Sequence, residues 1–296
     1  MYTQVKISTI SLKPKKWDKK SNALKMESFF RKAALGNPDI ILTPEGVLEG
    51  YCVFDVLENR HTPDEFLQIA EPIDGPYIKH FQNLAKELSI CLCFGFAERI
   101  GSDVYNAAVF IDQSGDVRGK YHKTQLSEGT NHECNFNRVG STLRAFDTPF
   151  GRMGFVICND RWNTMIPRAL VLDGAQLILI PSYGDKSKDQ NTAVLARSRE
   201  NGVPIAEANV GMNLIISKGE IVAYEWGNDK ITTASVEIPA QASTLNAREY
   251  EGHYLDLQGP EMELRYKETL KRVNGEPNKV ALANRGKLIA TSNSRQ

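Results

Sequence analysis

The chain has 296 residues, and its 36 Lys and Arg balance its 36 Asp and Glu, so the formal charge is zero. Apolar residues at 41% and charged residues at 24% are the proportions of a globular chain and exclude disordered, collagen-like and low-complexity organisation. Neutrality also excludes a general nucleic-acid or anionic-membrane binder, since both need a net basic surface.

In chain order, residues 5–11 alternate apolar and polar as a half-buried strand does. The spacing of Leu24, Met26, Phe29, Phe30 and Ala34 predicts a helix over 21–35, with Gly36 as its stop. Asp39-Ile-Ile-Leu-Thr43 is a short buried strand ended by Pro44-Glu45-Gly46. A helix over 77–88, a strand over 90–97 and a hairpin of 104–111 with 117–122 follow, the last turning at Ser114-Gly115. After the apolar strand Phe155–Ile157, the later part repeats this order. A helix over 164–173 stops at Gly174, and the strand Ala175–Ile180 ends at Pro181-Ser182. A helix over 190–201, a strand over 203–209 and a hairpin of 212–217 with 220–225 about Lys218-Gly219 complete it.

The expectation is an α/β chain of two related α-β-α-β-β halves, with two mixed sheets and helices outside. No composition shift separates the halves, so residues 1–272 read as one domain. Residues 273–296, rich in Asn, Gly, Lys and Ser, read as a C-terminal tail. The basic run of Lys13, Lys15, Lys16, Lys19 and Lys20 around Trp17 is either a solvated face or a local anion site. No apolar run approaches the ~20 residues of a bilayer span. The start, Met1-Tyr-Thr-Gln-Val-Lys6, lacks a signal pattern, so a cytoplasmic protein is expected. Five cysteines without a C-x-x-C disfavour a disulfide scaffold or a zinc knuckle and leave a thiol available for chemistry.

Cys158 lies in Gly154-Phe-Val-Ile-Cys-Asn-Asp-Arg-Trp162. It is either a buried structural thiol or a nucleophile on a strand-to-helix turn. There a helix N-terminus would lower its pKa, and backbone N–H groups would face an oxyanion. Glu45, just past a buried strand, is either a loop charge or a cleft carboxylate. Lys123 is either an exposed strand-end charge or part of the same site. All three stand at carboxyl ends of predicted strands, where open α/β sheets place their sites. Together they make chemical sense. A carboxylate takes the thiol proton and later activates water, and a lysine stabilises the tetrahedral oxyanion with the Asn159 N–H.

The order Pro44-Glu45-Gly46, Tyr121-His-Lys123, Ile157-Cys-Asn-Asp160 resembles the nitrilase superfamily of carbon–nitrogen hydrolases, from Val5 to about Lys271. Asp173-Gly-Ala-Gln-Leu-Ile-Leu-Ile-Pro-Ser182 and Arg199-Glu-Asn-Gly-Val-Pro-Ile-Ala-Glu-Ala-Asn209 support it. The resemblance implies a four-layer αββα sandwich, a homodimer or higher homo-oligomer, and no cofactor or metal. It implies Glu45 as general base, Lys123 as oxyanion stabiliser and Cys158 as nucleophile. Glu133 would be the second glutamate that holds Lys123 and the substrate. Two departures concern the pocket. Thr164-Met165 replace a Pro-Glu pair, and the stretch from Asn209 to Leu214 is short.

Cys158-Asn-Asp-Arg161 is similar to the post-cysteine run of N-carbamoyl-D-amino-acid amidohydrolases, with Trp162 where those enzymes carry a second arginine. Arg161 is then either a two-pronged anchor for a substrate carboxylate or an internal ion-pair partner, for instance of Asp160. Trp162, Tyr51 and Tyr183 are expected to wall the pocket. The expected activity is hydrolysis of a linear amide or N-carbamoyl group of a small molecule. The expected substrate is an amide, a ureido compound or a nitrile. The alternatives are a nitrilase proper or a silent binding member of the family. Histidine context gives no support to a papain-like hydrolase, and there is no GxxxxGK[ST], GxSxG or GxGxxG.

Overall fold

The computed structural model describes residues 3–126, 138–184 and 187–257. Its strands form two six-stranded sheets. In the first, β1 (Thr3–Ile10), β2 (Ile40–Leu42) and β3 (Cys91–Ile100) are parallel; β4 (Asp103–Ile111) and β5 (Val117–His122) return antiparallel. Each sheet has a sixth strand absent from the sequence reading. β6 (Phe146–Thr148) pairs antiparallel with β7 (Gly151–Phe155). In that second sheet, β7, β8 (Leu177–Ser182) and β9 (Ile205–Asn209) are parallel, and β10 (Met212–Ser217) and β11 (Glu220–Trp226) antiparallel. β12 (Ile231–Ile238) closes the first sheet by pairing antiparallel with β1. The run β1–β5 therefore repeats as β7–β11, and the expected halves are real. β6 has three residues, too few for a period to show, whereas β12 is legible in its β-branched run Ile231-Thr-Thr.

Burial alternates as a four-layer sandwich requires. Ile40, Leu42, Cys91 and Cys93 join the core shared with Phe155, Leu177 and Leu179 of the second sheet. The intervening residues Ile41, Leu92 and Phe94 pack on Met26 and Phe30 of α1 (Lys19–Ala34). They also pack on Ile78 and Phe81 of the helix at Pro76–Leu88. On the far side, Ile166 and Leu170 of the helix at Met165–Leu172 and Val194 of the helix at Lys188–Asn201 cover the second sheet. Two helices escaped the sequence reading, α2 (Val53–Leu57) and α3 (Pro63–Ile69), which makes the other three α4, α5 and α6. A further helix, also unforeseen, occupies residues 247–257. α3 has a readable start, the reciprocal capping box of Thr62 and Glu65 behind Pro63.

Local chemistry sets the element ends. Asp18 accepts from the Ser21 N–H and starts α1 ahead of the expected residue 21. Lys218 and Gly219 both take left-handed angles, φ 53° and 70°, which suits the tight β10–β11 turn. The basic run is drawn into pairs: Lys15 with Asp18, Lys16 with Asp55 and Lys19 with Glu71. Among the described residues no helix is long and apolar enough to cross a membrane. Glu133, with the whole run from 127 to 137, and the expected tail 273–296 lie outside the described residues.

Candidate active site

Glu45 sits on the turn after β2, and that turn is sewn into the sheets on both sides. Thr43 N–H donates to Cys93 C=O (2.9 Å), and Gly95 N–H to Pro44 C=O (3.1 Å). Val47 N–H donates back to Gly95 C=O (3.1 Å), and Glu45 N–H reaches Ser182 C=O at the end of β8 (3.4 Å). Gly95 is what lets β3 come this close. A Cβ there would lie 2.5 Å from Glu45 Cα and 2.8 Å from the Gly46 nitrogen. Gly95→Ala is therefore expected to push Glu45 out of place and lower turnover about 10²-fold, with the fold intact. Steady-state kinetics beside circular dichroism check it.

Lys123 follows β5 directly. Its N–H donates to Asn106 C=O (2.9 Å), and its C=O accepts from Gly140 N–H (2.9 Å). Its Nζ donates to Glu45 Oε1 at 2.8 Å, and Asn106 Nδ2 donates to the same oxygen at 2.7 Å. Glu45 and Lys123 are both buried, as is Asn106. Asn106 thus fixes the lysine through its backbone and the carboxylate through its side chain. It is a site residue that the sequence reading missed.

Cys158 does not open an α-helix. It begins a 3-10 turn, Cys158–Trp162, and α5 starts only at Met165. The expected lowering of the thiol pKa by a helix N-terminus is therefore absent. What holds the turn is Asp160, whose carboxylate accepts from Ile157 N–H (2.9 Å), Gln125 N–H (2.8 Å) and the Tyr121 hydroxyl (2.9 Å). Asp160 folds back on the strand end, so Cys158 takes φ 44°, a left-handed angle uncommon outside glycine. The same bonds fasten the turn to the segment after Lys123, and Asn159 Nδ2 adds a bond to Leu126 C=O (3.1 Å). Burial pushes Asp160 up to about 7, against the pull of Lys123 and of its hydrogen-bond donors. Asp160→Asn turns one acceptor oxygen into a donor facing buried donors. It is expected to cost about 1–3 kcal/mol, read as a lower melting temperature.

The thiol is acidified by its neighbours less than it is suppressed by burial. Burial pushes Cys158 up to about 11; the Glu45 charge adds to this, and Arg161 and Lys123 oppose it. At pH 7 such a thiol is ionised to roughly one part in 10⁴, so it reacts only with a base at hand. Its Sγ faces Tyr183 C=O at 3.8 Å, and the Tyr183 ring stacks on Tyr51 with centroids 4.3 Å apart.

Arg161 is buried. Nη1 donates to Glu207 Oε1 at 2.5 Å and Nη2 to Cys158 Sγ at 3.0 Å. Of its two readings, the internal ion pair is present, with Glu207 as partner in place of Asp160. Asp160 is instead occupied by the turn itself. Trp162 ends the turn 44% exposed, whereas Tyr51 is buried. β9 passes to β10 by a tight turn in which Asn209 pairs with Met212, so the short stretch noted in the sequence is a plain hairpin.

Two layered sheets with helices outside thus hold Glu45 and Lys123 in contact at strand ends, with the charges of both acting on the Cys158 thiol. The carbon-nitrogen hydrolase family matches residues 6–244, and the chain belongs to that family. The N-carbamoylputrescine amidase of Solanum lycopersicum is 30% identical over 226 residues, 73% of this chain and 72% of that protein. The citrullinase of Francisella tularensis is 30% identical over 233 residues, 75% of this chain and 79% of that one. An amidase from Nesterenkonia sp. has a similar fold, with TM-score 0.69 and 20% identity over 86% of this chain and 96% of that one.

Proposed function

We propose that the protein is a thiol hydrolase that cleaves a linear amide or N-carbamoyl group of a small molecule and releases ammonia through a Cys158 thioester. What supports this reading is the buried Glu45–Lys123 pair, whose charges both bear on the Cys158 thiol.

Glu45 takes the thiol proton, and the thiolate then bonds to the carbonyl carbon. Lys123 stabilises the oxyanion, which bears its charge where water is excluded. The proton on Glu45 passes to the nitrogen, which leaves as ammonia, and a thioester remains. Water then gives a proton to Glu45 while its oxygen bonds to the carbonyl carbon. The sulfur leaves and recovers its proton. With an N-carbamoyl substrate the acyl group on sulfur is a carbamoyl, and the released carbamic acid breaks down to an amine and carbon dioxide.

Two relatives named for N-carbamoylputrescine and for citrulline support a ureido or amide substrate. A Nesterenkonia amidase variant is described with the acetamide moiety of fluoroacetamide joined to its active-site cysteine, which supports a nucleophilic thiol at such a site. Glu133 remains the residue proposed to hold Lys123 and the substrate, and Tyr51, Tyr183 and Trp162 the proposed pocket walls. The test is ammonia release from a panel of N-carbamoyl amino acids, N-carbamoyl amines, short aliphatic amides and nitriles, with Cys158→Ala as control. Ammonia from an amide or N-carbamoyl compound, lost in the control, is expected. Ammonia from nitriles alone would contradict the proposal.

A further inference from the structure

The proposed chemistry uses Glu45, Lys123 and Cys158, yet a second buried ion pair touches the same sulfur. Arg161 is the largest of the fully buried side chains among the described residues, and Glu207 on β9 is buried with it. The guanidinium forks: Nη1 meets Glu207 Oε1 at 2.5 Å, and Nη2 meets Cys158 Sγ at 3.0 Å. Gln190 on α6 donates to the other Glu207 oxygen at 2.7 Å, so the carboxylate is held from the opposite side. Three elements thus converge on one contact: α6 fixes Glu207, Glu207 fixes Arg161, and Arg161 meets the sulfur. A buried pair of this kind adds little net stability over apolar side chains of equal volume. Its placement against the reactive atom calls for a chemical role.

We propose that Arg161 is a catalytic residue that carries the negative charge of the Cys158 sulfur, and that Glu207 is the positioning residue that aims it. The inference rests on Cys158 being the nucleophile. The sulfur is anionic twice in the cycle. The first time is after its proton has gone to Glu45 and before the bond to carbon forms. The second is when water's oxygen has displaced it and the thioester bond breaks. At both points an Nη2–H donor at hydrogen-bond distance lowers the energy of the thiolate, while Lys123 serves the oxygen of the same tetrahedral adduct. The charged groups acting on Cys158 divide accordingly. Glu45 disfavours the thiolate, and Arg161 and Lys123 favour it.

This assignment replaces the carboxylate anchor considered for Arg161. An end-on, two-pronged contact to a substrate carboxylate uses the Nη1–Nη2 edge, and here that edge is held by Glu207 and the sulfur.

The experiment compares the native protein with Arg161→Gln/Glu207→Gln, which removes both charges and keeps both shapes, and with Arg161→Lys, which keeps the charge without the fork. Modification of Cys158 by methyl methanethiosulfonate is followed by peptide mass spectrometry from pH 7 to 9, alongside kcat/KM on a neutral amide and on a carboxylate-bearing one. The double variant is expected to react about tenfold more slowly at pH 8, the equivalent of one unit in thiol acidity. It is expected to lose activity on both substrates by a similar factor, with Arg161→Lys in between. A folded double variant that reacts at the native rate would overturn the proposal. So would a loss confined to the carboxylate-bearing substrate, which would restore the anchor. Ammonia release that survives Cys158→Ala would instead remove the nucleophile assignment beneath it.

Discussion

Cys158→Ala is expected to lower ammonia release by at least about 10⁴-fold, because removal of a covalent nucleophile leaves only binding and oxyanion stabilisation. The fold should survive. Asp160 makes the bonds that shape the turn, and the Cys158 sulfur adds only its side-chain contacts with Arg161 and the Tyr183 carbonyl. The left-handed φ of 44° makes alanine no worse than cysteine there. Substrate should still bind, and a competition assay with a slowly turned-over amide should show this. Loss of binding together with loss of turnover would point to a structural thiol, the other reading open in the sequence.

Glu45→Gln is expected to cost about 10²–10⁴-fold in kcat, the range for loss of a positioned general base. The amide oxygen can still accept from Lys123 and Asn106, so the geometry is largely kept and the missing function is proton transfer. The pH dependence of Cys158 modification separates this from displacement. With Glu45 present, the thiol proton has a local acceptor, and the rate should vary little from pH 7 to 9. Without it, the thiol must ionise by itself. Burial holds it far above neutrality, and its thiolate fraction grows as the proton concentration falls. The rate in the variant should therefore climb about tenfold per pH unit. Equal slopes in both proteins would remove Glu45 from the role of base.

Much of this site could be read in the sequence because its residues stand where secondary structure stops. Glu45 and Cys158 each follow a strand whose apolar run is plain, Lys123 ends the second strand of a predicted hairpin, and punctuation such as Pro44 marks an end. The halves were legible for the same reason, since each repeats helix, strand, helix, strand, hairpin with glycine stops. The supporting residues were not legible, because they lie inside elements where any polar residue could stand. Asn106 reads as an ordinary position of β4. Gln190 reads as a surface residue of an α6 that opens on Lys188 and Asp189. Glu207 did leave a signal. It is a lone carboxylate in the buried run Ile205-Ala-Glu-Ala-Asn209, and a charge so placed needs a partner. The sequence names that need and leaves the partner's identity to the fold. The turn at Cys158 was misread for a related reason. Asn159 and Asp160 suit a helix cap, and only the meeting with Gln125 and Tyr121 shows Asp160 serving a 3-10 turn instead.

The covalent intermediate is the centre of this account, and intact-protein mass spectrometry tests it most directly. The protein is mixed with an amide or N-carbamoyl substrate that releases ammonia, quenched in acid within the first turnovers, and digested to locate any adduct. The account predicts an added acyl or carbamoyl mass on the peptide bearing Cys158, chased away by further incubation and absent from Cys158→Ala. Ammonia release with Cys158 unmodified at every time, and undiminished in the alanine variant, would contradict it.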